Sequence, residues 1–151
     1  MKSKLRTGDL LYRSKGLVEH AAVYIGNELV CHCSPTNDVE IITVDEYSEG
    51  KTVGVIHTDI ENKDLLQHRL KQILAANKTY SVFANNCEHI ASYLIHGRRE
   101  SRQLQTTLMC SLLGAVVSRN ASLRDQLLMI LLFSILGCAI SNATREYDEK
   151  I

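Results

Sequence analysis

Apolar and polar residues alternate early in the chain and adopt helical spacing later. Gly8-Asp9 precedes Leu10-Leu11-Tyr12, which predicts a short strand. Ala21-Ala22-Val23-Tyr24-Ile25 and Glu28-Leu29-Val30-Cys31-His32 predict two strands joined across Gly26-Asn27, a hairpin signal. Val39–Val44 and Thr52–His57 are further strand segments. From Asn62 to Ala76, the residues Leu65, Leu66, Leu70, Ile73 and Leu74 recur at helical spacing behind an Asn62 cap. A polar loop follows. A helix then opens near Asn86-Cys87 and runs to His96, with Gly97 as its stop.

Past Arg102 the pattern changes. Two charge-free stretches, Gln103–Ser118 (16 residues) and Gln126–Thr144 (19 residues), are separated by Arg119, Arg124 and Asp125. The second is apolar on every helical face, which predicts a helix either fully buried or embedded in a membrane. A span takes about 17–25 mostly apolar residues, so this one qualifies narrowly. The first 102 residues offer little surface to cover such a helix, which favours the membrane over a soluble bundle. Gln103–Ser118 is shorter and carries Thr106, Thr107 and Ser111, so it reads as an interfacial or docked helix. The chain thus divides into a domain over 1–102 and a hydrophobic helical tail over 103–151. Arg119 and Arg124 precede the span and Glu146-Tyr147-Asp148-Glu149 follow it. The positive-inside bias then leaves the amino-terminal domain in the cytosol.

Composition excludes several function classes. A chain of 151 residues is one domain, with at most an appendage. Lys and Arg number 17, as do Asp and Glu, and neither region has a basic excess. Specific nucleic-acid binding is therefore not expected. A hydrophobic content of 45% excludes a disordered chain. The five cysteines are an odd number, and the polar start from Met1 to Asp9 leads into no apolar signal region. Both point to reduced thiols and a cytosol-facing protein.

Cys87 is the first candidate for chemistry. It sits where the polar Ala84-Asn85-Asn86 meets the helical pattern of Ile90, Ala91, Tyr93 and Leu94. At a helix amino terminus the dipole and free N–H groups favour a thiolate, and the same donors could hold an oxyanion. Spacing alone favours a buried inert thiol, so the catalytic reading needs a base. His20 and His32 are the candidates, at the far ends of the hairpin. A two-residue loop at Gly26-Asn27 puts them on opposite faces. A three-residue loop, Ile25 to Asn27, puts His20 directly across from His32. The catalytic reading requires that odd loop; the other outcome is a hairpin with two incidental histidines.

Four ordered motifs carry a resemblance. They are Thr7-Gly8-Asp9-Leu10-Leu11, His20-Ala21-Ala22-Val23-Tyr24-Ile25-Gly26, Leu29-Val30-Cys31-His32 and Asn86-Cys87-Glu88-His89. Together they resemble the lecithin:retinol acyltransferase-like proteins, which are permuted papain-like thiol enzymes of the NlpC type. Tyr93–Gly97, Ser101–Gln103 and the apolar stretch after them are similar to the cellular phospholipase A/acyltransferases (the HRAS-like suppressor group), which end in a hydrophobic anchor. The resemblance implies Cys87 as nucleophile, His20 as general base and His32 as orienter. Ala21 stands where that family usually has an aromatic, and the His32–Cys87 segment is short for a cellular member. The same boxes also resemble the picornaviral 2A proteins of the H-box/NC type, which would make the chain an interaction module with host or viral protein partners.

Other residues carry weaker signals. Cys31 and Cys33 flank His32 but share a strand face that His32 does not, which argues against a zinc site with Cys87 and His89. His89 lies about 200° round the helix from Cys87, cannot serve as its base, and reads as a satisfied helix histidine. His96 suits a helix end, whereas His57 and His68 give no signal. Cys110 and Cys138 read as buried thiols. Arg98-Arg99-Glu100-Ser101-Arg102 is either a solvated helix end or a contact for anionic lipid head groups. Asn77-Lys78-Thr79, Asn120-Ala121-Ser122 and Asn142-Ala143-Thr144 fit a glycosylation pattern that a cytosolic domain leaves unused.

The expected protein is therefore α+β: a permuted papain-like domain whose antiparallel sheet, carrying His20 and His32, packs on the helix headed by Cys87, with an apolar helical tail. The resemblance implies attack of Cys87 on a glycerophospholipid acyl ester, with membrane phospholipid as partner, Gln126–Thr144 as anchor, and no cofactor or metal.

Overall fold

The computed structural model describes residues 5–60, 62–76, 81 and 86–151. The Asn77-Lys78-Thr79 pattern and the Ala84-Asn85 approach to Cys87 fall outside the described residues, and the signal-region reading over Met1–Asp9 does so in part.

Strands β1 (Leu10–Lys15), β2 (Val18–Gly26), β3 (Leu29–Ser34), β4 (Asp38–Thr43), β5 (Val53–Ile56) and β6 (Glu149–Lys150) form one antiparallel sheet in the order β4-β3-β2-β1-β5-β6. The helices are α1 (Val44–Ser48), α2 (Lys63–Ala75), α3 (Cys87–His96), α4 (Arg102–Val117) and α5 (Leu123–Ala143). The fold is α+β, as expected. Caps set the helix bounds: Asn62 Oδ1 accepts from the N–H of Asp64 and Leu65, and Gly97 closes α3 in the left-handed region at φ 73°.

Alternation along the strands builds two cores. Ala21, Val23, Cys31 and Cys33 bury one face of the sheet against Leu66 and Ile73 of α2 and Ile90, Ala91 and Leu94 of α3. Leu11, Ala22, Val30 and Val53 pack with Tyr47 of α1 in the other. Side chains with the parity of Ala22 and Val30, His20 and His32 among them, belong to the Tyr47 face.

The β2–β3 turn differs from both expected loops. Its two central residues are Asn27 and Glu28, at φ 53° and 60°, and Gly26 pairs with Leu29. The register shifts between Tyr24 and Gly26, and then runs Tyr24↔Val30, Val23↔Cys31, Ala22↔His32. The odd loop is thus absent. A bulge at Ile25 supplies the extra residue and restores the parity that puts His20 and His32 on one face. Glu28 holds its left-handed backbone because its N–H donates to the Tyr24 hydroxyl (3.1 Å) and its C=O accepts from Val44 N–H (2.9 Å).

The chain forms two compact units: residues 1–14, 19–100 and 146–151 in the first, and 15–18 and 101–145 in the second. The acidic end of the chain belongs with the sheet. Val55↔Glu149 and Gly54↔Lys150 pair, and His57 N–H donates to Asp148 Oδ2 at 2.7 Å. Tyr147 lies over Gly54, where a Cβ would come within 2.5 Å of its ring, and its hydroxyl donates to Glu19. In the second unit α4 and α5 pack on each other as an antiparallel pair.

Candidate active site

Three neighbouring strands bring the polar centre together. His32 lies directly across from Ala22 on β2 and from Glu40 on β4. His20 is two residues along β2 from Ala22, hence a diagonal same-face neighbour of His32. His20 Nε2 and His32 Nδ1 are 2.9 Å apart, and Glu40 Oε1 is 3.1 Å from His32 Nε2. Glu40 sits at ion-pair distance, and its negative charge favours the tautomer of His32 protonated at Nε2. Its Nδ1 then accepts the Nε2–H of His20, which leaves the lone pair of neutral His20 on Nδ1. The order Glu40–His32–His20 thereby selects which nitrogen of His20 is basic.

Tyr47 braces both rings, stacked on His20 at 5.6 Å and edge-on to His32 at 6.0 Å. Its hydroxyl, with one proton to donate, lies between the carbonyl oxygens of Leu11 (3.1 Å) and His20, and burial pushes its pKa well above the ordinary phenol value. The phenol therefore stays neutral. The helix that delivers it starts in a capping box: Thr43 Oγ1 accepts from Glu46 N–H, and Glu46 Oε2 accepts from Thr43 N–H at 2.9 Å. On the ring's far side Arg13 lies 5.5 Å from the Tyr47 centroid and pairs with Glu49.

Cys87 heads α3, whose Asn86 cap accepts from His89 N–H at 2.9 Å. The described pairing of β2 with β3 stops at Ala22↔His32, and the thiol meets the β2 backbone just past that point. Sγ is 3.9 Å from Glu19 O and receives the Ala21 N–H, so it rests on main chain either side of His20. Burial raises the thiol pKa, against the N–H groups of Ala21, Glu88 and Cys87 itself, which lower it. The helix start does favour a thiolate, as the sequence implied, but desolvation is larger and the resting group is the thiol. Cys31 and Cys33, pushed up to about 12 by burial, are inert beside it.

The remaining candidates separate from this site. His89 is buried, which lowers its pKa, and among the described residues its Nδ1 meets no hydrogen-bond partner. His57, silent in the sequence, has Nδ1 3.0 Å from the fully buried Asp9 and Nε2 3.7 Å from Glu149, and so ties β6 into the sheet. His68 Nε2 is 3.0 Å from Gln72 Nε2 on the surface of α2, and His96 sits in the last turn of α3. Among the described residues no cluster of His, Cys, Asp and Glu has the makings of a metal site. Sequence reasoning missed Glu40 and Tyr47. A three-residue turn at Pro35-Thr36-Asn37 would have set Glu40 across from His32, and Thr43-Val44-Asp45-Glu46 has capping-box spacing.

No protein-family model matches the chain. Over 135 residues it is 27% identical to phospholipase A and acyltransferase 5 of Mus musculus, covering 75% of this chain and 50% of that protein. The Homo sapiens protein of the same name is 26% identical over 140 residues, covering 78% of this chain and 50% of that protein. Lecithin retinol acyltransferase of Mus musculus is 29% identical over 133 residues, covering 65% and 57%. The chain spans about half the length of the curated relatives it matches. Its similarity, at 26–29% identity, is to the lecithin retinol acyltransferase-like proteins.

Proposed function

We propose that the chain is a thiol-dependent phospholipase A/acyltransferase that takes acyl groups from glycerophospholipids through Cys87. The observation that carries this reading is the Glu40–His32–His20 chain together with a thiol whose Sγ lies 3.9 Å from Glu19 O, on the β2 backbone next to His20 in sequence. A buried thiol with a raised pKa is a weak nucleophile by itself, so proton removal must accompany attack.

In the proposed cycle His20 Nδ1 takes the Cys87 proton as sulfur attacks the ester carbonyl carbon. The carbonyl electron pair moves to oxygen, and N–H groups at the start of α3 stabilise that oxyanion. Collapse expels the lysophospholipid alkoxide, which takes the proton from imidazolium His20, and an acyl thioester remains. Water, an amine or a lysophospholipid hydroxyl then attacks the thioester, loses its proton to His20 and releases the thiol. Hydrolysis and transfer differ only in that acceptor. His32 stays neutral, and with Glu40 it keeps His20 oriented while His20 carries charge. These side chains supply the acid–base and nucleophilic chemistry without a cofactor.

The substrate is a bilayer lipid, and α5 is long and apolar enough to anchor the protein in one. Arg98, Arg99 and Arg102 precede the apolar segments, and each adds about 1 kcal/mol of attraction near an anionic surface. Fatty-acid release by the full-length chain from phosphatidylcholine vesicles tests the function. Loss of release in Cys87→Ala and in His20→Ala, with both variants folded, is the expected result. A folded native chain that releases no fatty acid and transfers none to an added amine overturns the reading, in favour of an interaction module.

A further inference from the structure

We infer that α4 and α5 enter the bilayer together as a helical hairpin, with both ends on the side of the sheet and the turn at Ser118–Ser122 on the far side. The inference rests on the membrane association proposed above and goes beyond a single-pass anchor. Its first support is the way the helix pair distributes polarity. The buried positions between 101 and 145 are Ser101, Gly114, Ser118, Gly137 and Ser141, with no large apolar side chain among them. Polar pairs climb the interface at four-residue steps: Gln103 Nε2 to Asn142 Oδ1 at 3.0 Å, Thr107 Oγ1 to Cys138 Sγ at 3.1 Å, Ser111 Oγ to Ser134 Oγ at 2.7 Å.

Alongside these rungs the backbones approach through glycine. A Cβ on Gly114 would lie 2.9 Å from Met129 O, and one on Gly137 would lie 2.8 Å from Thr107 Cα. The apolar side chains point outward instead, among them Leu108, Leu112 and Val116 on α4 and Leu127, Leu131 and Ile135 on α5. Small and polar inside, apolar outside is how helices associate in hydrocarbon, where apolar burial gives no advantage and unpaired polar groups are costly. In water the same arrangement forfeits the hydrophobic term. A second copy could cover one side of such a pair, whereas lipid covers every side at once.

Length and connectivity give the topology. At 1.5 Å per residue α4 is about 24 Å long and α5 about 32 Å, against a hydrocarbon thickness of about 30 Å. The chain leaves the sheet unit after Glu100 and re-enters it at Glu146, where β6 pairs with β5. One crossing cannot satisfy that pairing, and two crossings do. Arg98, Arg99, Arg102 and Arg145 flank the base, and the turn end carries Arg119 and Arg124, so the positive-inside bias keeps the sheet in the cytosol.

The test uses the full-length chain inserted into sealed microsomes, with one short epitope appended after Ile151 and, in a second version, one inserted between Asn120 and Ala121. Antibody access is read before and after permeabilisation. The expected result is a terminal epitope bound on intact vesicles and a turn epitope bound only after permeabilisation. A terminal epitope hidden on intact vesicles would mean a single span and would overturn the hairpin. A turn epitope accessible from outside would overturn the crossing. Release of the chain by a carbonate wash as a defined dimer would assign the apolar surface to a second copy. None of these readouts depends on catalysis, so failure here leaves the acyl chemistry untouched.

Discussion

The sheet unit and the helix pair solve burial in opposite ways. In the sheet unit Leu11, Val23, Val30 and Leu94 are inside, and the buried polar side chains His20, His32 and Asp9 have named partners. In the helix pair serines and glycines are inside and the leucines face out. The first pattern is what water demands of a chain. The second is stable where the solvent is itself apolar, so solvent quality sorts the two regions without reference to any relative.

The largest expected effect breaks that comparison directly. Leu131→Arg, in the middle of α5, places a guanidinium in hydrocarbon at a cost of about 2.5–3.5 kcal/mol, so membrane recovery falls by roughly 100-fold. Leu65→Arg, at an exposed position of α2 in the sheet unit, changes stability by no more than about 0.5 kcal/mol. Vesicle flotation and thermal unfolding of the two variants, side by side, check it. Equal losses at both positions would remove the distinction between the regions.

What the sequence made legible follows the range of the interactions involved. The starts of α2 and α3 and the end of α3 were readable because Asn62, Asn86 and Gly97 act within a few residues of themselves. The shared face of His20 and His32 was readable only as a condition, because the Ile25 bulge depends on the Tyr24 hydroxyl reaching Glu28 and on Val44 bonding its carbonyl. Glu40 and Tyr47 join the site through strand register and ring stacking, which leave no periodic trace. β6 was invisible: Glu149-Lys150 is a polar pair of residues whose strand character comes wholly from Val55 and Gly54, far away in the chain. The two apolar stretches were plain, but their pairing rests on Gly114 and Gly137, which hydropathy does not weigh.

A smaller effect sharpens the account of the sheet unit. Glu40→Gln keeps the shape but replaces an acceptor-only group with one that can also donate, so His32 is no longer held in one tautomer. Turnover falls by about tenfold, or about 1.4 kcal/mol, with KM little changed, and the acid limb of the kcat profile moves because charged His20 loses support through His32. Glu40→Asp recovers part of the loss. An unchanged pH profile with a parallel loss of stability would reduce Glu40 to a packing residue.

The last expected effect concerns alkali. The thiols of Cys31 and Cys33 are raised by burial from 9.0 to about 12 in the folded chain. Below pH 9 their contribution to stability is complete. Between pH 9 and about 12 the unfolded chain loses protons that the folded chain keeps, so stability falls as pH rises, by about 1 kcal/mol per thiol per pH unit. Cys31→Ala removes one of the two contributions and flattens the slope of unfolding midpoint against pH, which calorimetry of the full-length chain reads.

The most direct test of the catalytic assignment is the intact mass of the full-length protein after brief exposure to phosphatidylcholine vesicles. The full chain is required because β6 completes the sheet. The account predicts an added acyl mass, removed by hydroxylamine and absent from Cys87→Ala. A folded chain that gains no acyl mass while still releasing fatty acid, or one whose adduct persists in Cys87→Ala, would contradict a thioester at Cys87.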